Sequence, residues 1–108
     1  MLKKAKPFNK VWRLIKDELL NVNYFFAHNA PFDRSVLHSC CYFYNIDLPQ
    51  QEFRDTVVIA RKYWEFENNK LNTVCNNLRI PLNHHDALSD AKGCAMIAIE
   101  AFKKGYSI

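Results

Sequence analysis

Two short stretches hold the residues best suited to chemistry. "HNAPFD" carries His28, Asn29 and Asp33, and "HHDALSD" carries His84, His85, Asp86 and Asp90. In each, an imidazole is followed closely by a carboxylate. Imidazoles titrate near neutral pH and suit proton transfer, whereas carboxylate oxygens suit hard divalent cations. The same acidic residues have a structural use, because a carboxylate in a helix's first turn complements the exposed N–H groups and the positive end of the helix dipole. Both uses predict one placement: a strand or loop that runs straight into a helix.

The elements that would position these residues follow from hydrophobic spacing. "PFNKVWRLIKDELL" places Phe8, Val11, Trp12, Ile15 and Leu19 at helical intervals and predicts an amphipathic helix. "NYFFA" reads as a short buried strand. Asn29 and Pro31 then mark a helix start, and the helix from Pro31 to about Tyr44 is expected to turn Phe32, Val36, Leu37, Cys40 and Tyr44 inward. "EFRDTVVIARKYW" predicts a strand ending near Asp55 and a helix after it. "LNTVCNNLRI" predicts another helix with Leu71, Val74, Cys75 and Leu78 on one side. The last segment places Leu88, Ala91, Ala95, Ala98, Ile99 and Phe102 at helical spacing, with Lys103, Lys104 and Gly105 as its stop. Short strands alternating with helices indicate an α/β domain.

Composition sets wide bounds. The 108 residues, 49% hydrophobic and 14% aromatic, suit one compact domain with a modest core. A net charge of +4 permits a polyanionic partner without demanding one. Cys40, Cys41, Cys75 and Cys94 form no C-x-x-C pair and lie among apolar neighbours, which predicts reduced, buried thiols. No long apolar run follows the basic start, so no membrane span or signal peptide is expected, and a cytoplasmic protein is the natural inference.

Taken together, "AHNAPFD" and "HHDALSDA" resemble the second and third motifs of the DnaQ-like 3'-5' exonucleases of the DEDDh class. The resemblance covers nearly the whole chain. "FRDTVVIAR" is similar to that family's "DT" strand-to-helix segment, and "KLNTVCNNLRIPL" to its approach to the third motif. The more specific signature is the five-residue step from His85 to Asp90, followed by Ala91.

The resemblance implies a ribonuclease H-like fold and hydrolysis of a terminal phosphodiester with two Mg²⁺ or Mn²⁺ ions about 3.5–4 Å apart. Asp33 and Asp90 match two of the family's metal-binding carboxylates. His85 matches the general base that deprotonates the attacking water, which makes Asp33, His85 and Asp90 the expected catalytic set. His28 and Asn29 lie near enough in sequence to contact substrate, a single-stranded 3' end of nucleic acid. Asp86 and Asp55 match no metal position and are expected to be structural, and Phe25 and Phe32 are expected in the core.

One family feature is absent from the chain: the first motif, a D-x-E on an opening strand that supplies the remaining carboxylates. No D-x-E occurs in the sequence, and only 32 residues precede Asp33. The expectation is therefore a single truncated exonuclease-like domain over residues 1–108, with an incomplete sheet whose N-terminal strands are missing and helices packed on it. Such a chain should have little activity by itself and should form a homo-oligomer, or take a partner chain, to cover the exposed sheet edge. The alternative is a catalytically dead module of the same fold that binds nucleic acid or protein.

Overall fold

The computed structural model describes residues 10, 12–14, 16–17, 21–83 and 86–107. Residues 10, 12–14 and 16–17 are helical, and Trp12 is buried as its place on the amphipathic wheel predicts; Phe8, Val11, Ile15 and Leu19 lie outside the described residues. The elements that follow are β1 (Tyr24–Ala27), α1 (Ala30–Phe43), β2 (Glu52–Asp55), α2 (Thr56–Tyr63), α3 (Leu71–Asn77) and α4 (Ala87–Lys103). Among the described residues the sheet has two strands, paired in parallel with Tyr24 opposite Glu52 and Ala27 opposite Asp55. Parallel neighbours require a crossover, which α1 provides. This mixed architecture is compatible with the ribonuclease H-like expectation.

Local sequence explains most boundaries. Asp55 and Asp86 accept backbone N–H bonds at the starts of α2 and α4. The ends of α1, α3 and α4 share one closing pattern, in which the residue after the cap takes a positive φ and the next N–H reaches back to a carbonyl of the last turn: Asn45 before Ile46, Arg79 before Ile80, and Gly105 before Tyr106. Gly105, at φ 107°, is the stop expected from the sequence.

The core lies where α2, α3 and α4 meet. Ala60, Val74, Cys75, Ile80 and Ile97 form it, with Trp64, Phe66, Leu71, Leu78 and Leu82 packed against it. The α3 expectation is thus met by Val74 and Cys75 in the interior and Leu71 and Leu78 at its rim. A second apolar region, built from edge-to-face or tilted contacts, joins Phe26 to Phe102 and Tyr106, and Tyr63 to Tyr106.

Two inward faces differ from expectation. On α1 the buried residues are Ala30 and Cys41, while Phe32 and Val36 are exposed, Phe32 at 64%. The described sheet has only two strands, and no described element covers the face that carries these side chains. On α4 the buried stripe is Gly93, Cys94, Ile97, Ala98 and Ala101, whereas Leu88, Ala91, Ala95, Ile99 and Phe102 are exposed. Apart from Ile97, the stripe is built of small residues, which let α3 approach closely, so most of the large apolar side chains of α4 do not mark its packed face. Cys41, Cys75 and Cys94 are buried free thiols as expected; Cys40 is only half-buried.

Candidate functional site

Because β1 and β2 are parallel, their C-terminal ends lie side by side, and α1 and α2 both start there. The residues just beyond the strands lock together. Asp55 Oδ1 accepts the Val57 N–H at 2.9 Å, capping α2, and the Asn29 N–H at 2.9 Å. One carboxylate oxygen therefore ties two helix starts. Asp55 has the structural role expected of it.

Asn29 departs from the expected cap. It occupies the left-handed region at φ 74°, which Asn tolerates better than most residues, and its side chain makes no capping bond to α1. Instead its carbonyl accepts the Phe32 N–H at 3.1 Å. The resulting sharp turn places Asp33 in the first turn of α1.

His28 is held through both ring nitrogens. Nε2 lies 2.6 Å from the Asn69 carbonyl oxygen and Nδ1 lies 2.8 Å from Thr56 Oγ1. A carbonyl only accepts, so Nε2 carries a proton and donates it. Thr56 is fully buried, and its Oγ1 also lies 3.4 Å from Cys94 Sγ and 3.3 Å from the Ala27 carbonyl.

At the third motif, Asp86 Oδ1 accepts from Leu88 N at 3.0 Å and from Ser89 N at 3.4 Å. This is the helix cap expected from the sequence. It starts α4 so that Asp90 falls in the first turn. His84 and His85 lie outside the described residues.

Asp33 and Asp90 line one cleft of about 390 Å³, together with Phe26, Ala27, His28, Leu71, Ala87, Ala91 and Cys94. A larger concavity of about 930 Å³, formed by His38, Cys41, Tyr42, Phe43, Leu48 and their neighbours beside the C-terminal half of α1, is lined by no carboxylate among the described residues. Donor chemistry, not volume, singles out the smaller one. Partial burial in the cleft raises the pKa of the Asp33 carboxyl; a backbone hydrogen bond opposes the rise, the nearby Asp55 carboxylate adds to it, and His28 opposes it. A cation beside Asp33 would relieve that penalty. Two carboxylates on one cleft suit a hard divalent cation in kind, although among the described residues no group of three or more His, Cys, Asp or Glu side chains forms a metal-type cluster.

Sequence reasoning did not anticipate the junction at Thr56 or the part of Cys94 in it. The only local signal was a hydroxyl placed directly after a strand-end carboxylate in "RDT". Phe32, expected in the core, is instead exposed beside Asp33.

Comparison with known proteins places these residues in a wider setting. A family model described as exonuclease matches residues 1–98. The DNA polymerase III PolC-type proteins of Listeria monocytogenes serovar 1/2a and Listeria welshimeri serovar 6b are each 30% identical to the chain over 105 residues, covering 95% of it and 7% of their own length. The PolC-type protein of Bacillus subtilis is 32% identical over 80 residues, covering 71% of the chain and 6% of its own length. The chain thus corresponds to a small part of each relative. No solved structure matches it.

Proposed function

The chain belongs to the DnaQ-like exonuclease family, and on that premise we propose that it is a 3'-5' exonuclease-type domain whose residues 1–108 carry half of a two-metal site. The observation that supports this reading most directly is the convergence of Asp33 and Asp90, distant in sequence, on one cleft at the C-terminal end of two parallel strands. That is where ligands bind in open α/β sheets.

In the proposed site Asp33 and Asp90 would hold Mg²⁺ or Mn²⁺. The bound ions would polarise the scissile phosphate and stabilise the attacking and leaving oxygens. His85 takes the proton of the attacking water. Asn29 turns the chain into α1 and, with the edge of the His28 ring, borders the path of a single-stranded 3' end. Both nitrogens of His28 are committed to the protein, so any contact it makes with nucleic acid is through the ring.

A D-x-E strand would pair with the sheet and bring the remaining carboxylates, which makes the two-strand sheet an incomplete one in this reading. The lack of D-x-E in the sequence favours low activity for these 108 residues alone, and it is also the observation that favours the second reading, a catalytically dead binding module.

Release of nucleotides from a single-stranded 3' end, measured with Mn²⁺, separates the two readings. The chain alone should release little, and the chain extended at its N-terminus by a strand bearing D-x-E should be active. In the extended protein, Asp33→Asn and Asp90→Asn should each remove most of the activity, and His85→Ala should slow it roughly 10²–10⁴-fold. An extended protein that folds and binds single strands but never cleaves them would establish the binding module instead.

A further inference from the structure

We infer that the Thr56 hydroxyl is a positioning group that sets the spacing of the two cleft carboxylates, an inference that rests on the exonuclease-type reading. Thr56 is the one buried polar residue among the described residues, with no exposed surface. Such a group persists in a core when its hydrogen bonds are satisfied. Its partners belong to the two acidic arms of the cleft. His28, 2.8 Å away, sits at the end of β1 just before the turn that launches Asp33. Cys94, 3.4 Å away, lies one helical turn beyond Asp90 on α4, and both line the cleft.

Register explains why Thr56 takes this place. Ala27 pairs with Asp55, so the next residues along the two chains, His28 and Thr56, fall opposite each other. Asp55 and Thr56 then divide the work. Asp55 joins the backbone starts of α1 and α2, while Thr56 joins β1 to α4.

The hydrogens can be assigned. Nε2–H of His28 donates to the Asn69 carbonyl, and in the tautomer that carries its single proton there Nδ1 accepts from the Thr56 O–H. The Cys94 S–H then donates to the free lone pairs of Thr56 Oγ1. Burial first, then the nearby Asp33 and Asp55 carboxylates, raise the Cys94 pKa despite the opposing bond from Thr56, which keeps the sulfur protonated as this donation requires. The Ala27 carbonyl at 3.3 Å is the alternative acceptor for the hydroxyl. Serine could make the same bonds, whereas the isosteric valine could make none. Loss of the hydroxyl should uncouple the arms and let Asp33 and Asp90 drift from a common cation.

The test combines Mn²⁺ titration by electron paramagnetic resonance with urea unfolding of the same proteins. Thr56→Val should remain folded and bind Mn²⁺ about 10-fold or more weakly, as expected when a group supporting the ligands is lost, while Thr56→Ser should stay within about threefold of the unaltered chain. Cys94→Ala, a milder change that cuts one arm only, should weaken binding in the same direction. Folded Thr56→Val or Cys94→Ala proteins with unaltered affinity would overturn the inference. Mn²⁺ binding that is absent, or indifferent to both Asp33→Asn and Asp90→Asn, would instead remove the exonuclease-type reading. The junction is then judged by unfolding alone. His28→Gln and Cys94→Ala should depart from additivity by about fivefold in the unfolding constant when Thr56 is present, and should be additive in Thr56→Val. Additivity in both backgrounds would overturn it.

Discussion

Partial burial makes the ionised form of Asp33 unfavourable in the cleft, and that cost has a testable sign. Its pKa is raised in the folded chain, so the folded state binds the proton more tightly than the unfolded state does. The favourable contribution is full below the ordinary carboxylate range and is lost as pH rises through the raised pKa. In EDTA, Asp33→Asn should therefore raise the melting temperature at pH 7, and the difference should vanish near pH 3; a lower melting temperature at pH 7 would show that the charge is stabilised by contacts that outweigh burial. Removing either of the two capping carboxylates should instead lower stability by leaving backbone donors without a partner. Asp86→Ala should cost about 0.5–2 kcal/mol in urea unfolding by freeing the Leu88 and Ser89 N–H groups. Asp55→Ala should cost more, roughly 1–3 kcal/mol, because it frees donors on two different helix starts. Equal losses for both would mean that the Asn29 bond contributes little.

At the scale of elements, the close approach of α3 and α4 is governed by Gly93. A Cβ built there would lie 3.1 Å from both Cys75 Sγ and Leu82 Cδ1. In an unencumbered helix, Gly→Ala gains up to about 1 kcal/mol. Gly93→Ala should fall short of that gain, since Cys75 is fully buried and Leu82 must shift. Gly93→Val should lose about 1–3 kcal/mol through overpacking. A full gain from alanine in chemical denaturation would show that the two helices can separate at no cost. Because the buried stripe of α4 is built of small residues apart from Ile97, its other large apolar side chains are poor guides to its inward face.

For the molecule as a whole, exposed apolar side chains are numerous for its size. Tyr42 is 89% exposed and Phe43 78%, and Phe32, Val36, Leu88 and Ile99 also face outward. Together with a sheet that has two strands among the described residues, this surface predicts association, either between copies or with a partner. Light scattering after size exclusion should show an apparent mass that rises with concentration, and Tyr42→Lys with Phe43→Lys should reduce the rise. A monodisperse monomer at high concentration would contradict the expectation. Among the described residues no helix is long and apolar enough to cross a membrane.

Much of this arrangement was legible in the residues themselves. Asp55 and Asp86, expected to be structural because they match no metal position of the resembled family, do cap helix starts, and the strand ends followed from short apolar runs. The pairing of "HNAPFD" with "HHDALSD" likewise pointed to Asp33 and Asp90 as residues of one site, and the fold places them on one cleft. Tertiary structure alone decided the rest. Which side of α1 is buried depends on what lies against it, so Phe32 and Val36 face outward despite their hydrophobicity. Asn29 takes a left-handed turn because a carboxylate from another strand end receives its N–H. Thr56 joins His28 and Cys94 only after the parallel register has brought two strand ends together and α4 has packed across β1. Hydrogen bonds between residues far apart in the chain leave no periodic trace in the sequence, because their partners are chosen by packing and not by spacing.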